Sequence, residues 1–241
     1  MAAQTNLETG SEQKRLILWD IDETMISSDG AGFRSISRAM EKMFGIEREA
    51  CRIPMSGKTD PQIITEILTA QGRTIEEAKQ HVAEVIATYL TYLDDEIAAA
   101  QYYIMHEGVR ELLDELSTMS NAYQGLLTGN VEHGAGKKLN RFQLAPYFAI
   151  GAYGSDSACR LDLPAIAVKR AVQHFGVDFT PQEVVIIGDS VNDIACARVY
   201  GAKAIAVNTG RTSYAILEQE KPCHLFKNLS DTKAVITAIF N

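Results

Sequence analysis

The stretch LILWDIDETM, residues 16–25, places two carboxylates directly after a run of apolar side chains. The run has the length of a buried strand, and Asp20 and Asp22 follow it with one isoleucine between them. A strand interior cannot hold these groups, because an unpaired charge is costly to bury. At the carboxyl end of a strand in a parallel sheet they would face the crevice where such sheets bind ligands. The stretch therefore predicts a first strand that delivers two carboxylates to a binding site.

Strand-like and helix-like patterns alternate after Gly108. Helical patterns separate four further apolar runs: YQGLLTGN, YFAIGAYG, EVVIIGDS and AKAIAVNTG. A strand–helix–strand series of this kind implies a parallel sheet with helices on both faces. The predicted fold class is therefore α/β, with a doubly wound, Rossmann-like parallel sheet.

The segment between the first strand and this series has a different pattern. Residues from about 48 to 106 look almost entirely helical, and Thr74 with Glu77 three residues later is typical of a capping box. No strand is predicted there. We therefore expect a flexible tail over residues 1–14, an α/β core over 15–29 and 107–241, and an inserted all-helical domain over 30–106.

Composition narrows the classes of protein. A net charge of -8 argues against a nucleic-acid partner or an anionic membrane surface. The sequence has no signal-peptide pattern and no apolar run long enough to span a bilayer, and its four cysteines are scattered. These features favour a cytoplasmic protein with reduced thiols. The expected assembly is a monomer or a homodimer, and the sequence does not distinguish between the two.

Charged residues and a Thr-Gly-Asn turn follow four of the predicted strands, and the carboxyl ends of parallel strands share one edge of a sheet. We expect them to converge on one crevice. They are Asp20 and Asp22; Thr128, Gly129 and Asn130; Asp156, Arg160 and Asp162; and Asp189 and Asp193. Acidic groups without a histidine cluster favour a hard cation with oxygen ligands, most simply Mg²⁺ shared with a phosphate. An aspartate beside such a metal can attack phosphorus.

The segments DIDET, LLTGN and GDSVND, in this order, resemble motifs one, two and four of the haloacid dehalogenase superfamily of phosphatases. The helical insertion resembles the cap of phosphoglycolate phosphatase-like and β-phosphoglucomutase-like members. The resemblance implies a Mg²⁺-dependent phosphatase that hydrolyses a small phosphorylated metabolite through an aspartyl-phosphate. A phosphosugar mutase is the alternative within the superfamily, and a non-catalytic phosphate-binding module is the alternative outside it.

The resemblance also implies roles for the residues that match these motifs. Asp20 would be the nucleophile and a metal ligand. Asp22 would be the general acid and base, with its backbone carbonyl on the metal. Thr128 would hydrogen-bond the phosphoryl group, aided by the backbone of Gly129 and Asn130.

The metal and the third motif involve a further set of residues. Asp189 would be the third protein ligand of Mg²⁺, and Asp193 would hold a metal-bound water or support the ligands. The Lys-Pro pair usual in motif three is missing before the helix that precedes GDSVND. Arg160 is the expected substitute for its lysine, with Lys169 and Arg170 as alternatives.

The cap would select the substrate. Lys58, in the loop MSGKTDPQI, would bind a substrate anion or be an ordinary surface lysine. Arg34 would reach the substrate or be solvated at a helix start. The sequence does not distinguish phosphoglycolate, a sugar phosphate, a nucleotide or pyrophosphate as the substrate.

Overall fold

A six-stranded parallel sheet forms the centre of the protein in a computed structural model, which describes residues 13–241. The first twelve residues of the predicted tail lie outside the described residues. The strands are β1 (Arg15–Trp19), β2 (Ile26–Ser27), β3 (Ile104–Met105), β4 (Ala122–Leu127), β5 (Ile150–Ala152), β6 (Val184–Gly188), β7 (Lys203–Val207) and β8 (His224–Phe226). The α-helices are α1 (Ala31–Phe44), α2 (Asp60–Ala70), α3 (Ile75–Ala99), α4 (Val109–Ser117), α5 (Glu132–Asn140), α6 (Leu163–Phe175), α7 (Val191–Tyr200), α8 (Tyr214–Gln219) and α9 (Thr232–Phe240).

The strand order in the sheet is β5-β4-β1-β6-β7-β8, and every neighbouring pair is parallel. Strand β1 lies in the middle, where Trp19 is in register with Leu126 of β4 and Ile187 of β6. The carboxyl ends of β4, β1 and β6 are therefore adjacent. This arrangement confirms the predicted fold class.

Apolar side chains cover both faces of the sheet. Ile17 and Trp19 of β1 belong to one buried cluster, and Leu16 and Leu18 belong to the cluster on the opposite face. A strand that is buried on both faces reads as a continuous apolar run rather than an alternating one. This is why β1 could be predicted from its sequence.

The helical insertion is joined to the sheet through a small antiparallel ribbon. Ile26 of β2 is in register with Met105 of β3, and α1, α2 and α3 lie between these strands. The capping box of Thr74 and Glu77 is present at the start of α3, as predicted. Strand β3 was not predicted, because a two-residue strand is too short to show a period.

Two predictions from composition can be compared with the structure. The four cysteines, which all lie in the described range, are free thiols. Among residues 13–241, no helix is long and apolar enough to cross a membrane.

Candidate active site

Three buried carboxylates meet at the carboxyl edge of the sheet. Asp20 follows β1, Asp189 follows β6, and Asp193 lies in the first turn of α7. One carboxylate oxygen of each lies within 4.8 Å of the others. The pKa of Asp20 is raised to about 7: burial raises it most, Arg160 lowers it, and the neighbouring Asp193 and Asp22 also raise it. Burial and the same crowding raise the pKa of Asp189 well above its usual value.

The donor set of this cluster fits a divalent cation. Its ligand atoms are all carboxylate oxygens, which hard cations prefer. Asp189 accepts a hydrogen bond from the Thr24 hydroxyl at 3.2 Å but, within the described residues, has no basic side chain in salt-bridge contact. A cation bound between Asp20 and Asp189 would favour the ionised form of both groups, against the burial and the neighbouring carboxylates that raise their pKa values.

Arg160 is the only basic side chain of the described residues that contacts this cluster. It lies in a short 3₁₀ turn before α6, is 5% exposed, and places Nη2 3.1 Å from Asp20 Oδ1. The same nitrogen donates to Asp193 Oδ1. Of the two alternatives, Lys169 is exposed and Arg170 binds Asp156. Arg160 therefore lies beside Asp20 and Asp193, and its substitution for the motif-three lysine stays a prediction.

Two other acidic residues predicted to converge here do not. Asp156 is exposed and pairs with Arg170 at 2.6 Å. Asp162 is exposed and accepts a hydrogen bond from Ser157 Oγ at 2.7 Å. The expectation for both was wrong, because the loop after β5 turns outward at these positions and directs only Arg160 into the crevice.

Both carboxylate oxygens of Asp193 are engaged by protein groups. Oδ2 accepts from the Ser190 hydroxyl at 2.6 Å and from the Ser190 N–H at 3.0 Å, which forms a capping box at the start of α7. Oδ1 accepts from Arg160. Asp193 therefore fixes the arginine beside Asp20, and its role in holding a metal-bound water stays a prediction.

Asp22 faces a different set of partners. Its carboxylate accepts two hydrogen bonds from Lys138 Nζ, at 2.8 Å to Oδ1 and 2.6 Å to Oδ2. It also accepts from Asn130 Nδ2 at 2.7 Å and from Ser28 Oγ at 3.2 Å. Burial alone would raise the pKa of Asp22, but these donors, led by Lys138, hold it below its usual value. The Asp22 side chain is outside the acidic cluster, and the metal contact of its carbonyl stays a prediction.

Lys138 was not among the residues predicted for this site. The available signal was its position on the apolar face of α5, seven residues after Val131 and three after Ala135. A lysine at such a position is buried and needs an acidic partner. The sequence alone does not identify that partner, because Asp22 is 116 residues away along the chain.

Thr128 lies directly after β4 and is fully buried. Its Oγ1 accepts hydrogen bonds from Asn130 Nδ2 at 2.8 Å and from the Asn130 N–H at 3.3 Å. The hydroxyl proton of Thr128 can therefore be donated toward the cavity. The expectation for Asn130 concerned its backbone. In the structure its side chain also joins Thr128 to Asp22, because Nδ2 donates to both.

The helical insertion closes over this edge of the sheet. A Cβ atom added to Gly129 would overlap the carbonyl of Lys58, and one added to Gly57 (φ 66°) would overlap the side chain of Ser190. Asn192 Nδ2 also donates to the Ser56 carbonyl at 2.8 Å. Glycine is needed at both positions because two loops meet there.

Two basic residues of the insertion have partners of their own. The Lys58 ammonium lines the cavity but forms an ion pair with Glu66, so its binding to a substrate anion stays a prediction. Arg34 pairs with Glu96 at 2.6 Å and with the Asp29 carbonyl. Arg34 therefore links α1 to α3. Neither of the two expectations for it, a substrate contact or a solvated side chain, was correct.

A cavity of about 620 Å³ lies between the sheet edge and the insertion. Its floor includes Asp20, Asp22, Thr128 and Asp189. Apolar side chains of the insertion form much of its roof: Phe33, Ile36, Ile53, Pro54, Met55 and Ile63.

The chain is similar to several known proteins. A phosphoglycolate phosphatase of Caulobacter vibrioides is 28% identical over 229 residues, which is 92% of this chain and 91% of that protein. A hydrolase from Pseudomonas syringae has a TM-score of 0.70 at 17% identity, over 95% of this chain and 100% of that chain. CbbY from Rhodobacter sphaeroides, solved with phosphate, has a TM-score of 0.68 at 16% identity, over 90% and 96% of the two chains.

The model of one protein family also matches the greater part of the chain. It covers residues 14–201, which include the carboxyl ends of β1, β4, β5 and β6. This match confirms the prediction made from the three motifs and the expectation of a hydrolase. The chain belongs to the haloacid dehalogenase-like hydrolase family.

Proposed function

We propose that the protein is a Mg²⁺-dependent phosphatase that acts on a small phosphorylated metabolite through an aspartyl-phosphate. The observation that carries the proposal is the separation of two carboxylates at the end of β1. Asp20 lies in the acidic cluster beside Arg160, whereas Asp22 is paired with Lys138 and faces the same cavity. One carboxylate is thus suited to attack and metal binding, and the other to proton transfer.

Asp20 and Asp189 would hold the metal, with the carbonyl of Asp22. A bound Mg²⁺ would offset part of the negative charge of the acidic cluster and of the phosphoryl oxygens. Thr128 Oγ and the backbone of the Gly129–Asn130 turn would bind the phosphoryl group from the opposite side. Arg160 would stabilise the carboxylate of Asp20 in the orientation needed for attack.

The reaction would proceed in two displacements at phosphorus. In the first, a carboxylate oxygen of Asp20 attacks, the bond to the ester oxygen breaks, and Asp22 gives its proton to the departing alkoxide. In the second, Asp22 takes a proton from water, the water oxygen attacks phosphorus, and Asp20 leaves as a carboxylate. The products are an alcohol and inorganic phosphate.

The environment of Asp22 fits this cycle. Lys138 and Asn130 keep Asp22 ionised in the free protein, because they lower its pKa. Asp22 takes up its proton when the negatively charged ester binds beside it, since a neighbouring anion raises the pKa of a carboxyl group. The carboxylate left after proton donation is then the base for the second displacement.

The helical insertion, residues 30–106, would act as a cap on this reaction. Its loop at Ser56–Lys58 already contacts the turns that follow β4 and β6. Closure would exclude bulk water from the first displacement, and opening would release the product. The roof of the cavity would select the leaving group.

Phosphate release from a panel of phosphorylated metabolites and p-nitrophenyl phosphate tests the proposal, with Mg²⁺ and with EDTA. We expect release that requires the metal and needs no phosphosugar primer, and the Asp20→Asn protein is the matched control. The C. vibrioides relative is named a phosphoglycolate phosphatase, so 2-phosphoglycolate belongs in the panel. Activity that depends on a primer would favour a mutase. Phosphate binding without turnover would favour a non-catalytic module.

A further inference from the structure

Lys138 is a buried lysine outside the three motifs that resemble the family. It lies on α5, is 5% exposed, and reaches the cavity floor with its ammonium group. An ammonium carries three N–H donors and no acceptor. All three find acceptors: the two oxygens of Asp22 at 2.8 and 2.6 Å, and Asn130 Oδ1 at 2.7 Å. Lys138 therefore has no donor left for a substrate in this arrangement.

The bond to Asn130 fixes the direction of that amide. Because Lys138 can only donate, the oxygen of Asn130 must face it and the NH₂ group must face away. The NH₂ group then donates to Asp22 Oδ2 at 2.7 Å and to Thr128 Oγ1 at 2.8 Å. Thr128 Oγ1 also accepts from the Asn130 N–H at 3.3 Å and so keeps a donor without the ammonium, whereas Asp22 is held by Lys138 directly and through this amide.

The pair of bonds to Asp22 fixes the plane of its carboxylate. Four donors in all reach Asp22, and the longest of these bonds is the one from Ser28 at 3.2 Å. A carboxylate has about four lone-pair sites, so these donors fill it. A leaving-group oxygen or a water would most easily take the place of Ser28, since the other three bonds are shorter. The position that opens is then set by Lys138 and Asn130.

We propose that Lys138 is a positioning residue, which orients Asp22 for proton transfer with the leaving group and with water. The inference rests on the proposed phosphatase function. A lysine that served only to stabilise the fold would affect all substrates alike. A lysine that acts through Asp22 affects most the esters whose leaving groups need a proton.

Lys138→Met separates these possibilities, because it keeps the length of the side chain and removes its charge. The quantity to measure is kcat/KM, which covers the steps up to loss of the leaving group. For the best alkyl phosphate of the panel we expect a loss of about 10²-fold, the scale of general-acid catalysis. For p-nitrophenyl phosphate, whose leaving group needs no proton, we expect nearly unchanged kcat/KM. Lys137→Met is the matched control, because Lys137 pairs with exposed Asp94 instead.

Lys138→Met leaves Asp22 buried without its cation, so the variant could lose its fold. The double variant Asp22→Asn with Lys138→Met avoids this unpaired charge. If Lys138 acts through Asp22, the double variant has the same kcat/KM as Asp22→Asn alone for both esters. A further loss in the double variant, or equal losses for the two esters in Lys138→Met, would overturn the inference. No phosphate release by the wild type from any ester would overturn the phosphatase function, and this inference with it.

Discussion

Asp20 and Asp22 are separated by one residue, yet each is held by a different cation. Arg160 lies 3.1 Å from Asp20, and Lys138 lies 2.6 Å from Asp22. The pKa of Asp20 is raised to about 7, mainly by burial, while that of Asp22 is lowered by its donors. In the proposed function, these two oppositely shifted carboxyl groups have different chemical roles. β1 ends at Trp19, so both carboxylates lie beyond the strand, where residues i and i+2 no longer have to share a face.

Asp189, a proposed metal ligand, allows a prediction for a single residue. Asp189→Asn removes a charged ligand and leaves the side-chain volume nearly unchanged. We expect Mg²⁺ to raise the melting temperature of the wild type and to leave that of Asp189→Asn unchanged, because a ligand stabilises only the state that binds it. At a concentration 100 times its Kd, Mg²⁺ would stabilise the wild type by about 2.7 kcal/mol. Thermal unfolding with and without EDTA measures the difference.

Asp162→Asn is the control for this experiment, because Asp162 is exposed and outside the acidic cluster. Its Mg²⁺-dependent rise should match that of the wild type. Equal rises for all three proteins would show that the metal does not bind at Asp189.

Among the structural elements, the contact between the insertion and the sheet allows us to predict the effect of Gly129→Ala on activity. The turn after β4 passes so close to the loop before α2 that the Lys58 carbonyl occupies the space of a Gly129 side chain. The Asp60 N–H also donates to the Gly129 carbonyl at 2.8 Å, so the two backbones are held together. Gly129→Ala should force this loop away from the active site. We expect kcat/KM for phosphate release to fall by about 10²-fold, the effect of a misplacement near 1 Å.

Gly136→Ala is the matched control for this variant. Gly136 lies in α5, and a Cβ atom added there meets nothing within 4 Å. Alanine should favour the helix by up to about 1 kcal/mol and leave kcat/KM unchanged. If Gly129→Ala were as active as Gly136→Ala, closure of this loop would not be needed for turnover.

The elements were predictable from sequence where the pattern is local. β1, β4 and β6 are apolar runs that end in polar turns, and the capping box of α3 consists of two residues three apart. The placement of Asp20, Thr128 and Asp189 at one edge followed from these runs. Arg160 was predicted for the same reason, as the basic residue after β5.

The remaining features depend on contacts that are distant in sequence. Lys138 and Asp22 are 116 residues apart, so their pairing depends on where α5 packs in the folded chain. Asp156 and Asp162 were placed wrongly, because the loop after β5 carries three charged side chains and only its path decides which one points inward. The two-residue β3 gave no pattern to detect.

At the scale of the whole molecule, the cavity differs from the rest of the protein in charge. The chain has 23 basic and 31 acidic residues, whereas the cavity lining has five of each. The basic lining residues are Arg52, Lys58, Lys138, Arg160 and Arg211. One bound divalent cation would make this lining positive, which suits an anionic ester in an otherwise acidic protein.

Asp60 links the insertion to the sheet domain and makes the stability of the whole molecule depend on pH. Its Oδ2 accepts from the Tyr89 hydroxyl at 2.6 Å and from the Val131 N–H at 3.0 Å. Burial raises the pKa of Asp60 above its usual value. A raised carboxyl pKa stabilises the folded state below the unfolded-state pKa of about 4, and this contribution is lost as pH rises through the folded-state pKa.

Asp60→Asn removes this dependence, because the amide oxygen can accept the same two hydrogen bonds without a charge. The free energy of unfolding of the wild type, minus that of Asp60→Asn, should fall as pH rises above about 4, by at most about 1.4 kcal/mol per pH unit. Urea unfolding in EDTA at a series of pH values measures it. A difference that stays constant, or that grows with pH, would contradict the burial of an acidic group at this junction.

The covalent role of Asp20 is tested most directly by the mass of the protein after an acid quench during turnover of p-nitrophenyl phosphate with Mg²⁺. The Asp22→Asn protein should accumulate one phosphoryl group on the peptide that contains Asp20. The leaving group of p-nitrophenyl phosphate needs no acid, so the first displacement proceeds, whereas the second displacement lacks its base. The Asp20→Asn protein should carry no phosphoryl group and should lose about 10⁶-fold in kcat, the scale seen when a nucleophile is removed. Near-normal turnover by Asp20→Asn, or a phosphoryl group on another residue, would contradict the covalent role of Asp20.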